Sequence, residues 1–136
     1  MHVLLSIEVT EELRVMWDHA KKRLEGHRGG PELWHTIRGD VSDAGVLEHL
    51  VTSGALWTIS DDEGLVGFAL VRHAVVEGIY VDHGRRRQHV ATTLLSALAA
   101  GENPPRDAYA LPGDRGMKSL YESFGWKARL LTMRGE

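Results

Sequence analysis

Residues 81–95 read Val-Asp-His-Gly-Arg-Arg-Arg-Gln-His-Val-Ala-Thr-Thr-Leu-Leu. An apolar strand ends at Val81 and a basic turn follows. Val90, Leu94, Leu95 and Leu98 then share one side of a helix that stops at Gly101, and Pro104 and Pro105 confirm the break. A strand that runs directly into the start of a helix builds an anion site. The opening amides of a helix have no partner within it, they point outward, and the dipole adds roughly half a positive charge. Arg85, Arg86 and Arg87 concentrate further charge within one turn of those amides. Without a ligand, the same stretch is a solvated charge run ahead of an ordinary helix.

Residues 55–60 and 65–72 are strands joined by Asp61-Asp62-Glu63-Gly64, an antiparallel hairpin, and residues 74–81 form a third strand at once. The middle strand is apolar on both faces, so something covers the sheet on each side. The helices supply that cover. Upstream, residues 3–7 are β-inclined, and Thr10 precedes Glu11 and Glu12 at a helix start. Leu13, Trp17, Ala20 and Leu24 form the apolar stripe of that helix, which ends near Gly26. Residues 26–39, GHRGGPELWHTIRG, show no period and read as a loop, or at most a short turn of helix. Asp43 can cap a second helix that buries Val46, Leu47, Leu50 and Val51 and stops at Gly54. Downstream come a short strand at 107–111, a Pro112-Gly113-Asp114 turn, a helix to Phe124 closed by Gly125, and a last strand at 126–133. The order β α α β β β α β α β predicts an α/β chain of the α+β kind: a mixed, mostly antiparallel central sheet with helices on both faces.

The 136 residues suit one domain, 1–136, and 43% hydrophobic with 26% charged residues is an ordinary globular composition. With no cysteine, disulfides, thiolate metal sites and a cysteine nucleophile are excluded. Sixteen Lys plus Arg against nineteen Asp plus Glu leave a charge of -3, which offers no overall field for nucleic acid or anionic membranes. The longest apolar run, residues 65–71, is far short of the ~20 residues of a membrane helix. The amino terminus has no cationic leader, which makes a cytoplasmic location the default expectation. None of the eight histidines pairs with another at i, i+4 on a helix, so no metal is expected.

The stretch at 81–95 resembles the acetyl-coenzyme A signature of the GCN5-related N-acetyltransferase superfamily, a Gln/Arg-x-x-Gly-x-Gly/Ala loop after a strand ending in Val. Arg86 matches the first position, His89 the first glycine and Ala91 the last. A second stretch, residues 114–126, is similar to that family's Asn-x-x-Ala-x-x-x-Tyr-x-x-x-Gly-Phe, with Asp114 for the Asn, Met117 for the Ala, Tyr121 for the Tyr and Gly125-Trp126 for Gly-Phe. The resemblance implies an enzyme that transfers acetyl from acetyl-coenzyme A to a primary amine by direct attack in a ternary complex.

The same resemblance implies the roles of the residues. Arg86, Arg87, Gln88, His89, Val90, Ala91 and Thr92 bind the cofactor pyrophosphate. Ile79, Tyr80 and Val81 hold the pantetheine arm and polarise the thioester, and Asp114 lies near that arm. Tyr121 protonates the leaving thiolate, which suits a phenol of pKa about 10. Glu77, four residues before Val81, is the candidate base, within reach of an amine directly or through water. Trp34 and His35 fall where the family's substrate specificity resides. The acidic hairpin tip at Asp61, Asp62 and Glu63 favours a cationic acceptor such as a polyamine, an amino sugar or a lysine.

The chain also departs from the family pattern. His89 replaces a glycine, and Asp114 replaces an Asn that can both donate and accept. These departures favour an alternative, a coenzyme A sensor or partner-binding module of the same fold. A third reading, acylation of a nucleobase or transfer RNA amine, is opposed by the net charge. Eleven residues follow Gly125, where the family has two strands, so the carboxyl-terminal hairpin is expected to be truncated and its edge open to a second copy of the chain.

Overall fold

The computed structural model describes residues 1–84 and 89–135. Thr10 starts helix α1 (Glu11–Glu25): its Oγ1 accepts from the Leu13 amide at 3.1 Å, and Glu11 and Glu12 lie at the positive end of the dipole. Such a cap contributes about 1 kcal/mol. The helix ends at Gly26 and buries Leu13, Met16 and Trp17.

The expected loop at 26–39 is instead largely a second helix, α2 (Gly30–Arg38). Its glycines mark a tight connection between packed helices. Gly29 takes φ 79° at the helix start, and a Cβ on Gly30 would lie 1.8 Å from the Leu24 carbonyl oxygen. Pro31 then sits in the first turn, where its missing N–H costs nothing. A single 3-10 turn (Asp43–Gly45) leads into α3 (Val46–Thr52), whose Val46, Leu47, Leu50 and Val51 are buried as their spacing predicts.

The sheet consists of β1 (His2–Leu5), β2 (Leu56–Asp61), β3 (Gly64–Arg72), β4 (Val75–Val81) and β5 (Asp107–Ala108), side by side in that order. The first four pair antiparallel, and β4 pairs with β5 in parallel. Leu56, Phe68 and Leu70 pack beneath α1, α2 and α3. Ile59, Val66 and Ala69 pack beneath α4 (Val90–Ala99) through Val90, Leu94 and Leu98. The last helix, α5 (Arg115–Ser123), joins this second layer through Tyr121, which packs with Val76 and Leu95. Among the described residues this is an open five-stranded mixed sheet with five α-helices on its two faces.

The predicted strand at 126–133 does not form: residues 126–135 carry no strand, and Leu130, Leu131 and Met133 are exposed. The reason is the short neighbour. With only two residues, β5 presents no edge long enough to seat another strand. Among the described residues no helix is long and apolar enough to cross a membrane.

Candidate functional site

The register of β4 builds the floor of the site. Leu70 faces Gly78 but Val71 faces Val76, so Glu77 is the extra residue of a bulge. The bulge buries two consecutive residues: Val76 against Leu95 and Tyr121, and Glu77 against Arg72. On the far side of β4, β5 pairs only at Val75 and Val76 and then diverges. In that split lies a cavity of about 510 Å³, floored by residues 78–81 of β4. Its walls are α1 and α2 on one side, residues 109–111 beyond β5 together with α5 on the other, and the opening residues of α4 at one end.

At the α4 end, His89 takes the left-handed conformation, φ 55° and ψ 30°, and no side chain caps the helix. His89, Ala91 and Thr92 line the cavity there, whereas the Val90 side chain is buried in the core. An uncapped helix start with no acidic residue in its first turn suits an anion. Arg86, Arg87 and Gln88, like Arg85, lie outside the described residues.

The wall formed by α1, α2 and β3 is aromatic. Trp17 and Trp34 have ring centroids 6.0 Å apart, Trp17 and Phe68 5.8 Å, and Phe68 and Tyr80 5.7 Å. Lys Nζ of Lys21 sits 4.7 Å over the Trp34 ring, and Trp34 Nε1 donates to Asp43 at 3.3 Å. Burial, with a smaller contribution from Asp82, pushes the Tyr80 phenol up.

Glu77, only 5% exposed, reaches the same cavity as half of an ion pair. The Arg72 guanidinium engages both carboxylate oxygens: Nε donates to Oε1, and Nη2 donates to Oε2 at 3.1 Å. Nη2 also donates to the Thr36 and Ile37 carbonyls at 3.0 Å each, in the last turn of α2 where helix carbonyls lack partners. One arginine thus ties the β3–β4 hairpin to α2.

Asp114 lines the opposite wall and caps α5, accepting from the Met117 amide at 3.1 Å. Tyr121 is 6% exposed and stacks on Trp126 with centroids 5.5 Å apart and planes at 8°. Its hydroxyl is buried with no hydrogen-bond partner, and burial, aided by the Asp114 carboxylate, pushes its pKa up. The ring belongs to the core cluster behind α5, not to the cavity wall.

No family model matches the chain, and no curated protein sequence matches it. Solved structures do. The aminoglycoside 6'-N-acetyltransferase AAC(6')-Ih from Acinetobacter baumannii is similar at a TM-score of 0.53 and 16% identity, over 99% of this chain and 97% of that one. AAC(6')-Iy, in complex with the bisubstrate analog CoA-S-monomethyl-acetylneamine, is similar at 0.51 and 19% identity, over 77% of this chain and 90% of that one. The fold is that of the GCN5-related N-acetyltransferases.

Within this N-acetyltransferase fold the residues singled out from sequence divide by position. Ile79, Tyr80, Val81, His89, Ala91, Thr92, Asp114, Glu77 and Trp34 all line one cavity. His35 does not: it lies on α2 with its Nδ1 3.3 Å from Arg38 Nη2. Trp17, Phe68 and Arg72 were missed. Trp17 and Phe68 carry the ordinary apolar spacing of buried positions, which gives no sign of a cavity. Arg72 had a legible signal, a cation five residues before Glu77 across a tight hairpin.

Proposed function

We propose that the chain is an N-acetyltransferase that moves the acetyl group of acetyl-coenzyme A to a primary amine. The observation that carries this reading is the cavity at the β4–β5 split, with an uncapped helix start at one end and an aromatic pocket on the α1–α2 side. An anionic cofactor and an amine can meet there along β4. The neutral amine nitrogen attacks the thioester carbon, the C–S bond breaks, and the thiolate leaves with a proton. The amine proton goes to water. The chain's contribution is positioning and exclusion of solvent. The α4 amides at 89–92 bind the pyrophosphate, with Arg86 and Arg87 as the sequence assigns them. Residues 79–81 hold the pantetheine arm and polarise the carbonyl.

Tyr121 is the proposed proton donor. Its support is a buried hydroxyl without an acceptor, held protonated at neutral pH, next to the helix face that lines the cavity. Glu77 takes a role other than the direct base the sequence suggested, because Arg72 engages both its oxygens. We assign it to fixing Arg72, and proton removal to water.

A second reading, a coenzyme A binding protein without turnover, is favoured by one observation: neither Tyr121 nor Glu77 presents an unengaged group to the cavity. A melt and a thiol-release assay separate the two. Acetyl-coenzyme A at 100 times its dissociation constant should add about 2.7 kcal/mol, several degrees for this size. Thiol release on an amine panel should follow, and Tyr121→Phe should slow it about 10²- to 10⁴-fold while keeping the cofactor shift. A shift with no turnover on any amine leaves the binding protein. No shift at millimolar cofactor removes both.

A further inference from the structure

Resting on the acetyl-transfer reading above, the geometry points to the class of acceptor: a primary monoamine on an aromatic or large apolar body, not a polyamine or an amino sugar. Three observations on the α1–α2 wall carry this. First, the surface is apolar, formed by Trp17, Leu24, Leu33, Trp34, Ile37 and Phe68. Trp17 packs on Trp34 and on Phe68 at tilted angles, with centroids 6.0 and 5.8 Å apart, so the wall is one continuous apolar surface on which another ring or a branched chain can lie.

Second, the charges on this wall have the wrong sign for a polycation. Lys21, Arg23 and His27 stand on it. Of the carboxylates that line the cavity among the described residues, Glu77 is engaged on both oxygens by Arg72, and Asp114 caps α5 across the cavity. Each further ammonium of a polyamine would enter with its hydration lost and no carboxylate to replace it. Third, the place on Trp34 where a ligand cation would sit is already held by Lys21, 4.7 Å from the ring centroid.

The chemistry makes the same selection. The attacking species is the neutral amine, so a monoamine enters the apolar wall with no charge, whereas spermidine or an amino sugar with several amines still carries its other ammonium groups. The selectivity therefore separates this chain from the aminoglycoside acetyltransferases whose fold it shares. It also reverses the cationic acceptor that the acidic hairpin tip suggested, because Asp61 to Glu63 are not part of the cavity wall.

The test reads binding apart from transfer. Intrinsic tryptophan fluorescence of the full chain, without cofactor, is titrated with 2-phenylethylamine, spermidine and neamine, and the same amines are then run in the thiol-release assay with acetyl-coenzyme A. 2-Phenylethylamine should quench at a concentration at least tenfold lower than either polycation, with kcat/KM at least tenfold higher. Lys21→Glu, a change on a partly exposed side chain, should narrow the gap to spermidine at least fivefold, with its melt recorded as a folding control. Equal or better binding or turnover of spermidine or neamine overturns the inference, as does a ratio that Lys21→Glu leaves unmoved, or no quenching by any amine. If acetyl-coenzyme A neither stabilises the protein nor releases thiol, the transfer reading fails, and the quenching order still decides the selectivity of the pocket.

Discussion

His89 holds φ 55° and ψ 30°, a conformation that costs a side chain about 1–2 kcal/mol and a glycine almost nothing. It stands where the signature it resembles has a glycine, and its left-handed backbone is one that favours glycine. His89→Gly should raise stability by about 1 kcal/mol in a denaturant melt, and should leave the cofactor shift intact or larger. Tyr121 poses the opposite case, a side chain in an ordinary place with an unmet need. A buried hydroxyl without a partner costs about 1–3 kcal/mol, so Tyr121→Phe should stabilise the free protein even as it slows thiol release. The pH dependence has a definite sign. The folded state holds the phenol proton more tightly than the unfolded chain, whose pKa is about 10. That contribution is full below about pH 10 and is lost as pH rises above it. Unfolding midpoints measured from pH 8 to 11 should fall at the alkaline end more steeply for the wild type than for Tyr121→Phe.

Between elements, the β3–β4 hairpin sets the geometry of the site. Its two turn residues, His73 and Ala74, take φ 52° and 63°, a loop that Asn-Gly would make without strain. The Ala74 carbonyl accepts from the Arg106 and Asp107 amides at 2.7 and 3.2 Å, so the same turn anchors β5 where it meets β4. Ala74→Gly should add about 1 kcal/mol in a denaturant melt without moving KM for either substrate. The Arg72–Glu77 pair links this hairpin to α2. Arg72→Ala leaves a buried carboxylate and two helix carbonyls without donors, and should cost about 3–5 kcal/mol. The pair Arg72→Met with Glu77→Leu should cost clearly less than Arg72→Ala alone, which a double-mutant cycle read by denaturant melts will show. The glycines of residues 26–39 teach a related lesson. They read as a loop because glycine usually breaks a helix, but here Gly29 and Gly30 permit one helix to start against the end of another. That function depends on a neighbour, Leu24, whose closeness no local pattern reveals.

At the scale of the molecule, the two layers differ in how firmly they are held. The α1–α3 layer closes over a continuous core, whereas β5 joins the sheet at two residue pairs and α5 buries only Tyr121 fully. Native-state hydrogen exchange should find the α5 amides opening at lower free energy than those of α4, and acetyl-coenzyme A should slow α5 most. Faster exchange in α4 than in α5 would count against the split as the binding site. The sequence determined a good deal of this protein by itself. Thr10, Gly26 and Gly54 bounded helices, alternation and turn residues placed three adjacent strands, and the stretch at 81–95 announced a strand feeding a helix start. These are local effects, decided by capping, periodicity and backbone freedom within a few residues. The tertiary structure alone decided the rest: that Glu77 is paired with Arg72, that Tyr121 lies behind the cavity wall, that Trp17 and Phe68 line the cavity, and that residues 126–135 find no edge to pair with. Each of these depends on which distant group is adjacent, and adjacency is set by the register of β4 and the divergence of β5, which no single stretch of sequence encodes.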